Sequence, residues 1–283
     1  MTKTLLRDAQ RHYVNDIRVT ALSDGPLPLG YDNLLGLEES EYGRILHDRH
    51  RDPETFRAGL NAFLIETDGV KVLVDSGCGG AMGPETGRVP NNLAATGVTP
   101  EEIDVIYCTH MHGDHIGGLI AQGGEAVFPK AALRVHEDDV AHFSDEANAT
   151  DTTRKVLEAY GDRMETFTGQ AQIAPGLTAR PLPGHTPGHS GLHVSSGSES
   201  LLIWTDIVHI APIQLARPEI GVGFDVDPDA AQETRKAILE EVATDRQLIA
   251  GSHIGFPGIG WIAREMEGYR FEPVPYTHDR SGD

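Results

Sequence analysis

Short apolar runs restrict this chain more than any other feature. Residues 62–65, 105–108, 133–135 and 201–204, with Val70–Val74 and Leu248–Ala250, are each only three to five residues long. Runs of that length suit strands buried in a sheet, because a buried helix needs about ten or more residues. Residues 62–65 and Val70–Val74 are joined through Thr67-Asp68-Gly69, whose Asp-Gly pair predicts a hairpin turn. Helix signals fall between other runs. Thr99-Pro100-Glu101-Glu102 combines a capping box with proline at the first helical position. Residues 151–160 place Val156, Leu157 and Tyr160 on one face and stop at Gly161. Asp227-Pro228 opens a further helix, with Ile238 and Val242 four apart. Alternating strands and helices with added hairpins predict an α/β layered fold. The 283 residues show neither an internal repeat nor a low-complexity linker, so one domain is expected, with residues 1–16 and 277–283 loosely tied.

Charge narrows the partners. With 23 Lys and Arg against 43 Asp and Glu, the net charge is −20, which repels nucleic acid and anionic membrane surfaces. No apolar stretch is long enough to span a bilayer, and the first 20 residues lack the apolar core of a signal peptide. The two cysteines, Cys78 and Cys108, make no disulfide framework. The chain therefore reads as soluble and cytoplasmic, acting on a small molecule. Its 14 histidines are the unusual count, and they point to metal or acid–base chemistry.

The densest chemistry is Thr109-His110-Met111-His112-Gly113-Asp114-His115. Imidazole and carboxylate are preferred donors for zinc and similar divalent ions. His110 and His112 are two apart and point the same way in extended chain, whereas Asp114 and His115 follow Gly113, where the chain can turn. One pair can thus serve one ion and the next pair a second. Further candidates follow downstream: His185 and His189 in Pro183-Gly184-His185-Thr186-Pro187-Gly188-His189, Asp206 after the run ending at Trp204, and His253 after Leu248–Ala250. Groups at the carboxyl ends of strands converge in α/β sheets.

The HxHxDH motif at 110–115, with His185, Asp206 and His253 in this order, resembles the metallo-β-lactamase-fold hydrolase superfamily. The resemblance runs from Asn61 to Tyr276. Asp206-Ile207-Val208-His209, Ser252-His253-Ile254-Gly255-Phe256-Pro257-Gly258-Ile259-Gly260 and Gly268-Tyr269-Arg270-Phe271 are most similar to the methyl parathion hydrolase group. It implies a four-layer αβ/βα sandwich in a single domain, with a core over about 17–276, and a possible homodimer. It also implies that His110, His112 and His185 hold one divalent ion, most simply zinc, with manganese, cobalt or iron as alternatives. Asp114, His115 and His253 hold the second, and Asp206 bridges both. A hydroxide shared by the two ions would attack a lactone, aryl-ester or organophosphate triester, with Asp206 and Asp114 as the catalytic carboxylates.

Other residues are read beside that set. His189 is an alternative ligand to His185 but fits better as a supporting residue. His209 either approaches the pocket or packs, and Asp75 orients a ligand or a turn. Cys108 is expected to be a small buried hydrophobe. Asp225, Asp227 and Asp229 are read as a solvated helix entry, and His136 and His142 as surface residues. In residues 136–149 only Phe143 offers an aromatic wall for a phosphotriester leaving group, and Met82 sits in the other candidate loop, which favours lactones or esters. The alternatives on the same fold are a glyoxalase II-like thioesterase, a ribonuclease Z-like phosphodiesterase (disfavoured by the charge) and an iron-dependent persulfide dioxygenase or flavodiiron type. A degenerate binding scaffold is the non-enzymatic alternative.

Overall fold

The computed structural model describes residues 8–275. Its first half contains β1 (Ala9–Val14), β2 (Ile17–Leu27), β3 (Leu34–Leu35), α1 (Glu39–Asp48), β4 (Ala58–Thr67), β5 (Val70–Val74), α2 (Val89–Ala95), β6 (Val105–Tyr107), α3 (Gly113–Ile116), β7 (Ala132–His136), α4 (Glu137–Ser144), α5 (Asp151–Tyr160) and β8 (Met164–Phe167). The second half contains β9 (Ala171–Ala174), β10 (Leu177–Pro181), β11 (Ser190–Ser196), β12 (Glu199–Ile203), α6 (Ala211–Ala216), β13 (Gly221–Val222), α7 (Pro228–Asp245), β14 (Leu248–Ala250), β15 (Ile259–Arg264) and β16 (Tyr269–Pro273).

Each half builds one seven-stranded sheet, in the orders β1-β2-β4-β5-β6-β7-β8 and β16-β15-β14-β12-β11-β10-β9. The short apolar runs explain the layering. Successive strand residues face opposite sides, and here both sides are buried. Phe63, Ile65, Val72 and Val74 meet Leu192, Val194, Leu201 and Ile203 between the sheets. Their neighbours Leu64 and Leu73 face outward against α2, α4 and α5 through Leu93, Phe143 and Val156. On the other sheet Leu202 and Trp204 face α6 and α7 through Leu215, Ile238 and Leu239. The result is the expected helix–sheet–sheet–helix order. Burying each such side chain contributes about 1.5–3 kcal/mol.

Two local expectations need correction. Residues 9–14 are not loose: they form β1, paired to β2 along its length. The rest of the terminal segments, 1–7 and 276–283, lies outside the described residues. The capping box at Thr99 exists, yet it starts only the single turn Pro100–Glu102, because Ile103 returns to extended backbone and is buried just before β6. The hairpin turn at Asp68-Gly69 is as expected, with φ of 45° and 78°.

Strands β5, β6, β7 and β8 run parallel, as do β12 and β14. Their carboxyl ends therefore share one edge of the sandwich, and the site lies there. Asn61, near the start of β4, ties the two sheets together at this edge. Its side-chain amide donates to the carbonyls of Gly251, Ser252 and Ile254 at 3.2, 3.2 and 2.8 Å. Among the described residues no helix is long and apolar enough to cross a membrane.

Candidate metal centre

His110 and His112 lie in the extended segment leaving β6, and their rings meet edge to face at 4.9 Å. Asp114 and His115 are redirected by α3, which begins at Gly113. The turn is thus made by one helical turn rather than by a glycine-only conformation. His185 comes from the β10–β11 loop, Asp206 follows β12, and His253 follows β14.

These side chains converge on one carboxylate oxygen. Asp206 Oδ2 lies 3.7 Å from His110 Nε2, 3.2 Å from His115 Nε2, 3.5 Å from His185 Nε2, 3.2 Å from His209 Nε2 and 2.9 Å from His253 Nε2. Asp114 Oδ2 lies 3.5 Å from Nε2 of both His115 and His253. His112 Nδ1 is 2.9 Å from His185 Nε2. The donors fall into sets with spacings suited to a metal: His110, His112 and His185; Asp114, His115, Asp206 and His253; and His185, Asp206 and His209.

The chain before Asp206 is strained to reach this point. Thr205 has φ of +44°, a rare conformation for a β-branched residue. Its hydroxyl oxygen sits 2.9 Å from His189 Nε2, while His189 Nδ1 is 2.9 Å from the Leu182 carbonyl. Both His189 nitrogens are therefore engaged away from the carboxylates, which leaves His185 as the loop's available donor. His209 is different. It is buried, stacks at 5.2 Å on the His253 ring, and neither of its ring nitrogens has a hydrogen-bond partner among the described residues.

A second ring of contacts aims the donors. Asp75 Oδ2 lies 2.8 Å from His115 Nδ1, and the Asp75 carboxylate accepts from the Thr109 N–H at 2.9 Å and the Thr109 hydroxyl at 2.8 Å. His253 Nδ1 lies 3.1 Å from the Gly59 carbonyl. His185 Nδ1 lies 2.8 Å from Asp225 Oδ1. Asp225 is buried, so its reading as part of a solvated helix entry is wrong: the chain turns it inward before α7, whereas Asp227, the N-cap, and Asp229, in the first turn, are exposed at that entry. Asp139 also escaped the sequence reading. It accepts from the Met111 N–H at 2.9 Å and the Gly188 N–H at 2.6 Å, clamping the two histidine loops together. The acidic start of α4 was its only sequence signal. His136, expected at the surface, is buried at the end of β7 and packs edge-on against Phe167 at 5.3 Å. His142 is half-buried. Phe143 is a core residue, its ring 5.5 Å from that of His112, and Cys108 is buried with its thiol held up by that burial.

Burial, together with neighbouring imidazoles, keeps His110 and His185 well below the usual histidine range, and burial brings His112 down to about 4. Burial opposes ionisation of Asp206 and Asp114, yet the facing imidazoles hold both below the usual carboxylate range. His115 and His253 are raised: burial works against this, but Asp206 and Asp114 outweigh it. Buried carboxylates thus demand positive charge here, a demand a divalent cation also meets. Among the described residues Asp206 Oδ1, His110 Nε2 and His115 Nε2 have no hydrogen-bond partner. Orphaned buried donors and acceptors are costly unless something binds them. Mixed imidazole and carboxylate donors fit divalent ions of the zinc type.

A cleft beside His253 draws aromatic walls from Phe56, Phe256, Tyr269 and Phe271. Its aromatics come from segments other than 136–149.

The model of the Metallo-beta-lactamase superfamily matches residues 57–253. An N-acyl homoserine lactonase of Bacillus thuringiensis is 24% identical over 172 residues, covering 60% of this chain and 63% of that relative. The chain thus spans less than two thirds of that protein. Another, from Bacillus cereus, is 23% identical over 236 residues, 75% of this chain and 90% of the relative. Among solved structures, AbOPH, a hydrolase in the beta lactamase superfamily, superposes with a TM-score of 0.89 at 28% identity, over 96% of this chain and 99% of that one. AidC, a dizinc quorum-quenching lactonase, superposes with a TM-score of 0.90 at 23% identity over the same shares, a likeness of fold.

Proposed function

The chain belongs to the metallo-β-lactamase superfamily, and from that premise we propose that it is a dinuclear metal-dependent hydrolase of small-molecule esters, with lactones as the leading substrate class. One observation carries the reading. Five histidine Nε2 atoms surround Asp206 Oδ2, while among the described residues Asp206 Oδ1, His110 Nε2 and His115 Nε2 have no hydrogen-bond partner. Lactonase relatives support the choice of substrate.

In this reading His110, His112 and His185 would hold one ion and Asp114, His115 and His253 the other, with Asp206 available to both. When bound, such ions polarise a carbonyl oxygen and lower the pKa of water to about 7. The protein supplies the rest. Asp75, Asp225 and the Gly59 carbonyl fix the ring orientation of His115, His185 and His253. Asp206 Oδ1, which has no hydrogen-bond partner among the described residues, would hold a proton during turnover. His209 aims a ring nitrogen at the same point and positions the reacting group.

The test is kcat/KM on a panel of an acyl lactone, an aryl ester, a glutathione thioester and an aryl phosphotriester, with a chelator control. Lactone or aryl ester should lead, and chelation should stop turnover. His110→Ala and Asp206→Ala should abolish turnover with an unchanged circular dichroism spectrum. Dominance of the phosphotriester or thioester would overturn the substrate assignment. Full activity in either variant would overturn the site.

A further inference from the structure

The cleft beside His253 has a volume of about 740 Å3 and lies between the loop after α1, the segment entering β4, α6 and β16. Four arginines line it, Arg49, Arg51, Arg57 and Arg270, against one lining carboxylate, Asp52. Such a gathering is unexpected in a chain of net charge −20. Two of the four are already neutralised: Arg49 pairs with Glu265, and Arg270 with Glu272. Arg51 and Arg57 are exposed and form no ion pair among the described residues; Arg57 Nη1 donates to the Phe56 carbonyl at 2.7 Å. The cleft wall also includes the apolar rings of Phe56, Phe256 and Phe271.

We propose that this cleft receives the remote end of the substrate and that this end is anionic, a carboxylate carried on an apolar spacer and held by Arg51 and Arg57. An anion near so acidic a chain is repelled except where unpaired cations gather, and charges beyond about 10 Å are largely screened. Guanidinium groups match a carboxylate in shape and charge. The apolar spacer lies along the phenylalanine rings, and the ester end reaches His253, whose Nε2 is 2.9 Å from Asp206. The position of the ester rests on the hydrolase reading; the capture of the anion does not.

Calorimetric titration with two amides separates the two claims. Adipic acid monoanilide carries the terminal carboxylate, and hexananilide has the same spacer without it. The monoanilide should bind the wild type about tenfold or more tightly, the worth of one charge-assisted hydrogen bond. In the Arg51→Gln/Arg57→Gln double variant, checked for an unchanged melting temperature, the two amides should bind alike. Equal binding to the wild type overturns the proposal, as does a preference that survives the double substitution. The matching esters, monophenyl adipate and phenyl hexanoate, give the ratio of kcat/KM, which should fall toward one in the double variant. A binding preference without turnover of either ester would sink the placing of the ester end at the metal centre and leave the anion site standing.

Discussion

Removing the Asp225 carboxylate leaves His185 Nδ1 without its 2.8 Å partner. Partners of this kind fix tautomer and ring angle, and their loss costs about 10–100-fold in metal affinity or activity. Asp225→Ala should therefore weaken metal binding by that factor in a competition titration with a chromophoric chelator, and Asp225→Asn, which keeps an acceptor oxygen, should recover part of it. Unchanged affinity in Asp225→Ala would show that His185 is not a ligand. The choice between the two loop histidines has its own test. His189 already spends both ring nitrogens, on Leu182 and Thr205. His189→Gln should keep the metal content of the wild type by elemental analysis, whereas His185→Gln should lose about one ion per chain. The reverse result would move the ligand to His189.

The loop between β10 and β11 works only because it sits hard against the start of α7. Gly184 has φ of +127°, and a Cβ there would lie 2.2 Å from the Ala231 nitrogen. Gly184→Ala therefore has to push the loop off the helix and carry His185 with it. The substitution should destabilise the fold by more than about 1 kcal/mol in urea titration, the cost of a side chain in a conformation it cannot adopt, and should lower metal affinity together with kcat. A variant as stable and active as the wild type would mean that loop position does not set the site. The same dependence runs through Asp139, whose carboxylate joins the loop at Met111 to the loop at Gly188. Helix α4 is thus a brace for the centre as well as a cover for its sheet.

The two sheets contribute ligands to one edge, so anything bound there also links the halves of the chain. His110, His112, Asp114 and His115 follow the first sheet, and His185, Asp206 and His253 belong to the second. Ligands that bind only the folded state stabilise it by about 2.7 kcal/mol at a hundred times their dissociation constant. For a chain of this size that corresponds to roughly 4–5 °C. Exhaustive chelation should lower the melting temperature by about that much, and readdition of zinc should restore it. A melting temperature indifferent to chelator would contradict metal binding at the sheet junction.

Local pattern carried the strands and the candidate ligands. Leu73 and Leu202 had to be buried between neighbours buried on the opposite face, and that requirement is written in the apolar runs. Four candidate ligands fall within six consecutive residues, and each later one follows a strand end or a glycine-flanked turn. Asp225 was misread because its partner is 40 residues away, and Asp139 was not singled out because its two N–H donors lie 28 and 49 residues away. The cleft draws on residues 49–59, 211–215, 253–256 and 269–273, which share no sequence pattern. Periodicity records which way a side chain points from its own strand or helix. Which distant side chain it meets depends on how the two sheets cross and where the loops between them close, and those are properties of the packed molecule.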